Sequence, residues 1–305
     1  MASLKNIKTK ILSYKKTGTV THAMEAVSAV KMRKAQERAL GTRTYAASAL
    51  TVLERLSKTI DLSKHPLLNV REGKLCIIVI TSDKGLAGAL NSGVIKRAEE
   101  QIRTSGYAIE NVVIVAIGRR GAEYFASRGY DVRIRRDNLG DDVLENDIHI
   151  VVSAVLGFHA AGEISTCVVA YTNFVSTFEQ EPVVRQLVPI TEEVIASMVK
   201  GIRPAKGKYA PQVEAVKHTN ISYTIEPSAD AVFAILLPRL LSIAVFHATL
   251  ESKASEHSAR MVAMKSATDK AKDMTKSLTR IFNKVRQAAI TREVSEITSG
   301  MEAMK

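Results

Sequence analysis

The chain has 305 residues, of which 46% are hydrophobic, and a formal net charge of +12. This length can bury a substantial core in one or two domains. No apolar run approaches the roughly 20 residues of a membrane-spanning helix, and the N-terminus lacks the apolar core of a signal peptide. Cys76 and Cys167 lie in apolar runs that favour free thiols over a disulfide, and the seven histidines lack metal-site spacing. We expect a protein of a reducing compartment without a cofactor.

The excess positive charge is confined to the two ends of the chain. Residues 1–40 carry nine Lys and Arg against two Asp and Glu, and residues 239–305 carry twelve against seven. The segment between them, 41–238, carries 22 of each sign and is neutral. Basic ends of this kind suit an acidic partner, either a protein surface or a nucleic acid.

The N-terminal segment predicts one long helix. Residues 3–57 contain no proline and two glycines, and they are rich in the strong helix formers Ala, Lys, Met, Glu and Leu. Apolar residues recur at intervals of three and four at Leu4, Ile7, Ile11 and Tyr14, and the pattern is taken up again at Met24 and Val27. Such a helix would be about 80 Å long, which is too long for a single globular core.

The middle of the chain alternates between strand-like and helix-like segments. Strands are predicted at 75–80, 111–117, 131–136, 165–175 and 183–190. Helices are predicted at 86–104, 119–128 and 147–160. The alternation predicts an α/β domain with a doubly wound, mostly parallel (Rossmann-like) sheet. Residues 201–227 hold three prolines and predict an irregular connection.

The third of these helices is the least obvious, because segment 147–160 is rich in β-branched residues and strand-like by propensity. Its apolar residues nevertheless keep one helical face: Ile148, Val151, Val152 and Val155. A parallel sheet also needs a crossover at this point. We therefore predict a helix.

The C-terminal segment predicts a coiled coil. From Arg239 to Ser299 there is neither proline nor glycine. One 3.5-residue repeat contains Leu250, Ala254, His257, Met261, Met264, Thr268, Ala271, Thr275, Leu278, Phe282, Val285 and Ala289. Such a repeat is typical of a left-handed coiled coil. With Ser228 as its cap, the helix would run to Met304 over about 115 Å.

These elements predict three parts. An N-terminal coiled-coil helix (1–58) pairs antiparallel with a C-terminal coiled-coil helix (228–305), and a central α/β domain (74–210) is inserted between them. Many residues of the repeat are small or only moderately apolar, which indicates a helix that meets several different surfaces. The C-terminal helix is the longer, so one of its ends must protrude alone.

Four stretches carry a resemblance to a known family: THAMEAVSAVKMRKAQ (21–36), TSDKGLAGALNS (81–92), SEHSARMVAMKSATDKAKDM (255–274) and FNKVRQAAITREVSEITSG (282–300). They resemble the gamma subunit of F-type ATP synthase. In that family the terminal helices form a coiled-coil shaft inside a ring of three alpha and three beta subunits. The central domain lies near the epsilon subunit and the membrane ring of c subunits.

The resemblance implies a function as well as a fold. It implies a non-catalytic, central-stalk rotor that couples proton flow through the c ring to ATP synthesis or hydrolysis on the alpha and beta subunits. It also implies a peripheral location at the cytoplasmic face of the bacterial cell membrane. Neither a membrane span nor a nucleic-acid partner is expected.

The resemblance further implies contacts with the beta subunit. Arg260, Arg286 and Gln287 match family positions that touch a loop of that subunit near the shaft, and Thr291 follows in the same motif. Small residues after Arg286 and Gln287 allow a carboxylate to approach a bidentate donor closely. Without a partner, these residues would be solvated charges on an exposed helix. Met24 and Val27, with Met261 and Met264, are expected to line the shaft seam or its neck, where plain coiled-coil packing is the simpler interpretation.

The stretch TSDKGLAGALNS (81–92) predicts a further contact. Lys84 stands where the family usually has arginine; it keeps the charge but lacks the planar fork of the guanidinium. Gly85 and Gly88 allow a sharp turn off the preceding strand, and Asp83 is expected to cap the helix that follows. The expected neighbour is an acidic segment of the beta subunit.

Two other function classes are weaker. A nucleotide-binding enzyme is disfavoured because GLAGAL lacks the G-x-G-x-x-G pattern. GIRPAKGKY (201–209) also fails as a P-loop, with five residues between its glycines and Tyr209 in place of Ser or Thr. A nucleic-acid-binding coiled coil is disfavoured because the basic residues are spread along the helices without an aromatic platform.

Overall fold

A computed structural model describes residues 4–57, 67, 72–191, 194 and 229–304 of the chain. The helices are α1 (Leu4–Ser57), α2 (Leu90–Ser105), α3 (Arg119–Ser127), α4 (Glu145–Ala160) and α5 (Ala229–Ala303), with a 3-10 turn at Ile109–Asn111. The strands are β1 (Lys74–Ile80), β2 (Val112–Ile117), β3 (Asp131–Arg136), β4 (Ile164–Phe174) and β5 (Gln180–Val188). The predicted connection at 201–227 and the cap at Ser228 lie outside the described residues.

The residues divide into two compact units. The coiled-coil unit comprises Met1–Ser28 with Arg260–Lys305, and the sheet unit comprises Ala29–Ala259. Helices α1 and α5 therefore each contribute residues to both units. The predicted division into 1–58, 74–210 and 228–305 stays a prediction.

The sheet unit contains a five-stranded sheet in the order β3-β2-β1-β4-β5. Strands β3, β2, β1 and β4 are parallel to their neighbours, and β5 is antiparallel to β4. This confirms the predicted doubly wound, mostly parallel sheet. Cys76 of β1 lies opposite Cys167 of β4, and both are free, buried thiols, as the sequence favoured.

Both faces of the sheet are covered, which explains why β1 and β2 are continuous apolar runs. On one face, alternate residues of β1 pack against α2 and α3: Leu75, Ile77 and Val79 meet Val94, Ala98 and Phe125. On the other face, β1 packs against α4 and α5: Cys76, Ile78 and Ile80 join Ile148, Val151, Leu237 and Leu241. The core is therefore two apolar layers, one on each side of the sheet.

Helix α4 confirms the prediction for 147–160 and begins two residues earlier, at Glu145. The residues that kept one face are the buried ones: Ile148, Val151, Val152 and Val155. Burial of that face against the sheet overrides the strand propensity of its β-branched residues.

Within the described residues, one helix is long and apolar enough to meet the criteria for a membrane span, the segment Ala234–Ala303 of α5. The apolar window of this segment is 61% buried inside the protein. Its buried residues belong to the core of the sheet unit, among them Leu237, Leu241 and Val245. Core packing accounts for the apolar character of the helix.

In the coiled-coil unit, α1 and α5 pair antiparallel through a narrow seam. Thr21 and Thr268 share a hydrogen bond between their hydroxyl groups at 2.7 Å. A Cβ atom placed on Gly18 would lie 3.5 Å from that of Ala271. The two helices therefore run in opposite directions, as the sequence predicted.

The predicted repeat of α5 forms this seam. Its members in the unit are buried or half-buried: Met261, Met264, Thr268, Ala271, Thr275, Leu278, Phe282, Val285 and Ala289. On α1 the seam follows Leu4, Ile7, Ile11, Tyr14, Gly18, Thr21 and Ser28. Val27, predicted for the seam or its neck, is instead 54% exposed. Ser28 is buried instead of Val27, because the register of the repeat decides which of the two neighbours faces the other helix.

Phe125 tests the layered core directly. It is fully buried between α3 and the sheet, and its ring makes edge contacts with Tyr124 and Tyr130. We expect Phe125→Ala to lower the free energy of unfolding by about 3–5 kcal/mol, measured by urea unfolding. The matched control is Phe178→Ala, because Phe178 is 83% exposed and its loss should change stability by less than about 0.5 kcal/mol. Equal effects of the two substitutions would contradict the layer assignment.

Candidate partner-contact surfaces

The loop after β1 is held by its own side chains. The backbone N–H of Ser82 donates to Oδ1 of Asn91 at 2.9 Å, and the Nδ2 of Asn91 donates to the hydroxyl of Ser82 at 2.8 Å. That hydroxyl also donates to the carbonyl of Lys84 at 2.6 Å. The loop is therefore a fixed platform at the carboxyl edge of the parallel strands.

The same loop binds the N-terminus of α3. The N–H of Arg119 donates to Oδ1 of Asp83 at 3.0 Å, and the N–H of Gly121 donates to the hydroxyl of Thr81 at 2.8 Å. The N–H of Arg120 donates to the carbonyl of Ser82 at 3.2 Å. Three amides at the start of α3 are thus already satisfied within the chain, so they are not offered to a phosphate group.

The prediction that Asp83 caps the following helix is wrong. Helix α2 begins at Leu90, four residues later than predicted, and no side chain caps it. Asp83 binds α3 instead, which is distant in sequence. The intervening turn places Leu86 at a φ of 65° and Gly88 at 58°. Gly88 adopts this left-handed conformation without strain, whereas Leu86 adopts it at a cost.

Lys84 and Leu86 project from this platform. Lys84 is exposed, and Leu86 is 64% exposed. An exposed cation therefore lies two residues from an exposed apolar side chain on one hydrogen-bonded loop, and the contact predicted for Lys84 stays a prediction. The sequence predicted Lys84 here and missed Leu86.

Three of the predicted contact residues lie together on α5. Arg286, Gln287 and Thr291 are all exposed. The hydroxyl of Thr291 donates to the carbonyl of Gln287 at 3.0 Å. Their side chains therefore share one stretch of accessible helix surface within the coiled-coil unit.

The other two predicted contact residues are less accessible. Arg260 is 8% exposed, so it is not the solvated surface charge that an isolated helix would present. Met24 is half-buried on α1. The structure thus separates the predicted contacts into an exposed set (Lys84, Arg286, Gln287 and Thr291) and a buried set (Arg260 and Met24).

A basic groove lies beside the contact between Gly18 of α1 and Ala271 of α5. Its lining includes Lys15, His22, Lys272 and Lys276, together with Gly18. No described residue cluster has the three His, Cys, Asp or Glu side chains of a metal site. The groove therefore adds positive potential to the coiled-coil unit, where an acidic surface would bind favourably.

These features define a protein that has an antiparallel coiled coil and a mostly parallel sheet, with exposed residues on each for which contacts are predicted. The family model described as ATP synthase matches residues 3–304. The ATP synthase gamma chains of Pelotomaculum thermopropionicum and Cupriavidus necator are each 38% identical to the chain, with all of both chains covered. That of Chloroflexus aurantiacus is 37% identical, covering 100% of this chain and 99% of the relative. The chain belongs to the ATP synthase gamma chain family.

Solved structures share the fold. A chain of the Euglena gracilis mitochondrial ATP synthase (OSCP/F1/c-ring, rotational state 3) superposes with a TM-score of 0.64 at 16% identity, covering 99% of this chain and 94% of that chain. A chain of the Tetrahymena thermophila central stalk and c ring gives a TM-score of 0.56 at 19% identity, covering 81% of this chain and 99% of that chain. The arrangement of helices and sheet is therefore conserved at low sequence identity.

The satisfied loop after β1 predicts that the isolated chain does not bind nucleotide. A ligand at a hundred times its Kd would stabilise the native state by about 2.7 kcal/mol. We expect no change of Tm with millimolar ATP or ADP, in the wild-type chain or in Lys84→Glu. A nucleotide-dependent rise of Tm that Lys84→Glu abolishes would contradict this account and support a nucleotide site.

Proposed function

We propose that the chain is the central-stalk rotor subunit of a proton-translocating F-type ATP synthase and has no catalytic residues of its own. Its partners would be three alpha and three beta subunits, the epsilon subunit and the membrane ring of c subunits. The complex would hold it peripherally at the cytoplasmic face of a bacterial membrane. Membership of the gamma chain family supports this proposal. The fold it shares with central-stalk chains supports it as well.

The C-terminal end of α5 is the observation that carries the proposal. Every residue from Ile290 to Met304 is exposed. Its large apolar side chains recur at intervals of four, three, four and three residues: Ile290, Val294, Ile297, Met301 and Met304. An exposed apolar stripe of this period is typical of a helix that packs against another surface. An apolar sleeve formed by the alpha and beta subunits would cover it.

Charge supports the same arrangement. The coiled-coil unit, Met1–Ser28 with Arg260–Lys305, carries fifteen Lys and Arg against six Asp and Glu. The rest of the chain carries 28 against 25. The unit proposed to enter the ring therefore holds most of the net charge. Complementary acidic surfaces on the ring would steer assembly and fix the orientation of the chain.

The proposed mechanism is mechanical. A ring of beta subunits surrounds a shaft whose two helices differ in length and side chains, so each beta subunit meets a different face. Each face stabilises a different conformation of that subunit, and rotation changes the populations in turn. Arg286 and Gln287 would contact a beta-subunit loop, with Thr291 one turn further along. Lys84 would contact an acidic beta-subunit segment, Arg260 would contact the beta-subunit loop near the shaft, and Met24 would pack at the shaft seam or its neck.

Arg286 tests the proposed beta-subunit contact. Losing a charge-assisted hydrogen bond costs about 1.5–3 kcal/mol, so Arg286→Ala should lower the turnover of the assembled complex by about tenfold or more. Steady-state ATP hydrolysis measures this, with the Tm of the isolated chain unchanged.

The matched control is Arg292→Ala. Arg292 is a cation on the same exposed helix, paired with Glu296 at 3.2 Å, and no contact is predicted for it. Equal turnover of wild type and Arg286→Ala would reduce Arg286 to an ordinary surface charge.

Ala271 tests whether the helix must be continuous. Proline there removes a backbone hydrogen bond and clashes with the preceding turn, at a local cost of about 3 kcal/mol or more. Ala271→Pro should abolish coupled ATP synthesis in membrane vesicles while the sheet unit still folds. Ala271→Ser keeps a small seam residue and should couple normally. Normal coupling by an assembled Ala271→Pro complex would contradict a rigid shaft.

A further inference from the structure

The loop between β3 and α4 binds both long helices at once. Its segment Leu139–Asp142 is named here the acidic clamp. Lys31 of α1 places its Nζ 2.6 Å from Oδ2 of Asp141, and His257 of α5 places its Nε2 2.9 Å from Oδ1 of the same carboxylate. One side chain therefore joins the loop, α1 and α5.

Two further side chains strengthen this junction. Arg38 of α1 places its Nη2 2.5 Å from Oδ1 of Asp142, and its Nη1 donates to the carbonyl of Asp141 at 3.5 Å. On the other helix, Nζ of Lys253 donates to the carbonyl of Leu139 at 3.0 Å. The acidic clamp thus receives two cations from α1 and two donors from α5, and all of them lie within the sheet unit.

The clamp is held firmly at its own ends. Val143 is 5% exposed and belongs to the core, and Leu139 packs against the same core. The core therefore fixes the positions of the two carboxylates that lie between these apolar anchors. A loop anchored in a close-packed core deforms little, so it transmits force to the rest of the unit.

Electrostatics favours the charged state of Asp141. Burial of Asp141 raises its pKa, but the hydrogen bond from Lys31 and the charges of His257 and Lys31 outweigh burial, so the pKa is lower than usual. Because the folded-state pKa is depressed, the stabilisation is present above the unfolded-state pKa and is lost as pH falls through the folded-state value. Asp141 is therefore ionised throughout the neutral range.

Stability alone does not explain the cluster. The side chains of Lys31, Arg38 and Asp141 are 43–44% exposed and that of Asp142 is 78% exposed, and ion pairs of such exposure stabilise a fold little. His257 differs, because its side chain is 5% exposed. Together these contacts join two helices to one loop. Both helices also supply the coiled-coil unit.

We propose that Asp141 and Asp142 are positioning residues that fasten the β3–α4 loop to the parts of α1 and α5 that lie in the sheet unit, so that these parts and the loop turn together under torque. The proposal rests on the rotor function. Without the clamp, the chain still folds and the complex still hydrolyses ATP, but the two helices shift against the β3–α4 loop under load.

The test uses the complete ATP synthase in membrane vesicles, in which proton pumping per ATP hydrolysed is measured for Asp141→Asn/Asp142→Asn. We expect ATP hydrolysis close to wild type and a lower ratio of protons pumped to ATP hydrolysed, because part of each hydrolysis-driven step is lost as movement between the helices and the loop. The matched control is Asp131→Asn/Glu163→Gln. It also removes two carboxylates from the sheet unit, both paired with Arg133 and neither with α1 or α5. Pumping by the control should equal that of wild type.

A cross-link separates fastening from folding. Lys31→Cys/Asp141→Cys/Asp142→Asn should pump poorly until a short bismaleimide joins the two cysteines, and near-wild-type pumping should then return. Cys76 and Cys167 are fully buried and leave the reaction to the introduced pair.

Pumping of Asp141→Asn/Asp142→Asn equal to wild type, or loss that the cross-link does not restore, would overturn the clamp. Failure of the wild-type complex itself to pump would instead contradict the rotor function, and the clamp would fall with it.

Discussion

The close contact of two helices through small side chains is the constraint on which the rest of the structure depends. Gly18 faces Ala271, and Thr21 shares a hydrogen bond with Thr268. Larger residues would force the helices apart, whereas small ones let the backbones approach and pack over a long distance. The helices have no other core in the coiled-coil unit. Within this unit, the helices are therefore stabilised by the seam and by the surfaces of any protein that surrounds them.

The same helix meets different demands along its length. In the sheet unit α5 forms a wall of the core, with fully apolar contacts at Leu237 and Leu241. In the coiled-coil unit its seam mixes large residues, such as Met264 and Phe282, with small or polar ones, such as Thr268 and Ala271, and beyond Ala289 its residues are exposed. Burial therefore decreases along one continuous helix, which packs in a core at one end and offers an exposed surface at the other.

Much of the fold could be predicted from the spacing of apolar residues in the sequence. The 3.5-residue repeat predicted the α5 seam, and the single apolar face of α4 outweighed its strand propensity. Periodicity failed where register decides between neighbours, so Val27 was placed in the seam and Ser28 was missed. Periodicity also could not predict contacts between residues that are distant in the sequence. Asp83 binds the start of α3, 36 residues away, and the acidic clamp joins residues more than 100 positions apart.

The predicted contact residues also divide into those whose exposure a local pattern predicts and those whose exposure it does not. An exposed position on a helix follows from its place outside the repeat, which is why Arg286 and Gln287 lie on the surface as expected. The burial of Arg260 depends on packing that no local pattern reveals. Leu86 was missed because its left-handed backbone conformation, not its residue type, turns it outward.

The most direct measurement of the rotor account is single-molecule rotation. A probe attached to a cysteine introduced at Phe178, which is 83% exposed at the tip of the β4–β5 hairpin, would report motion of the chain in an immobilised complex with alpha and beta subunits. The account predicts continuous rotation in one direction during ATP hydrolysis and none without ATP. Sustained hydrolysis with a stationary probe would contradict it.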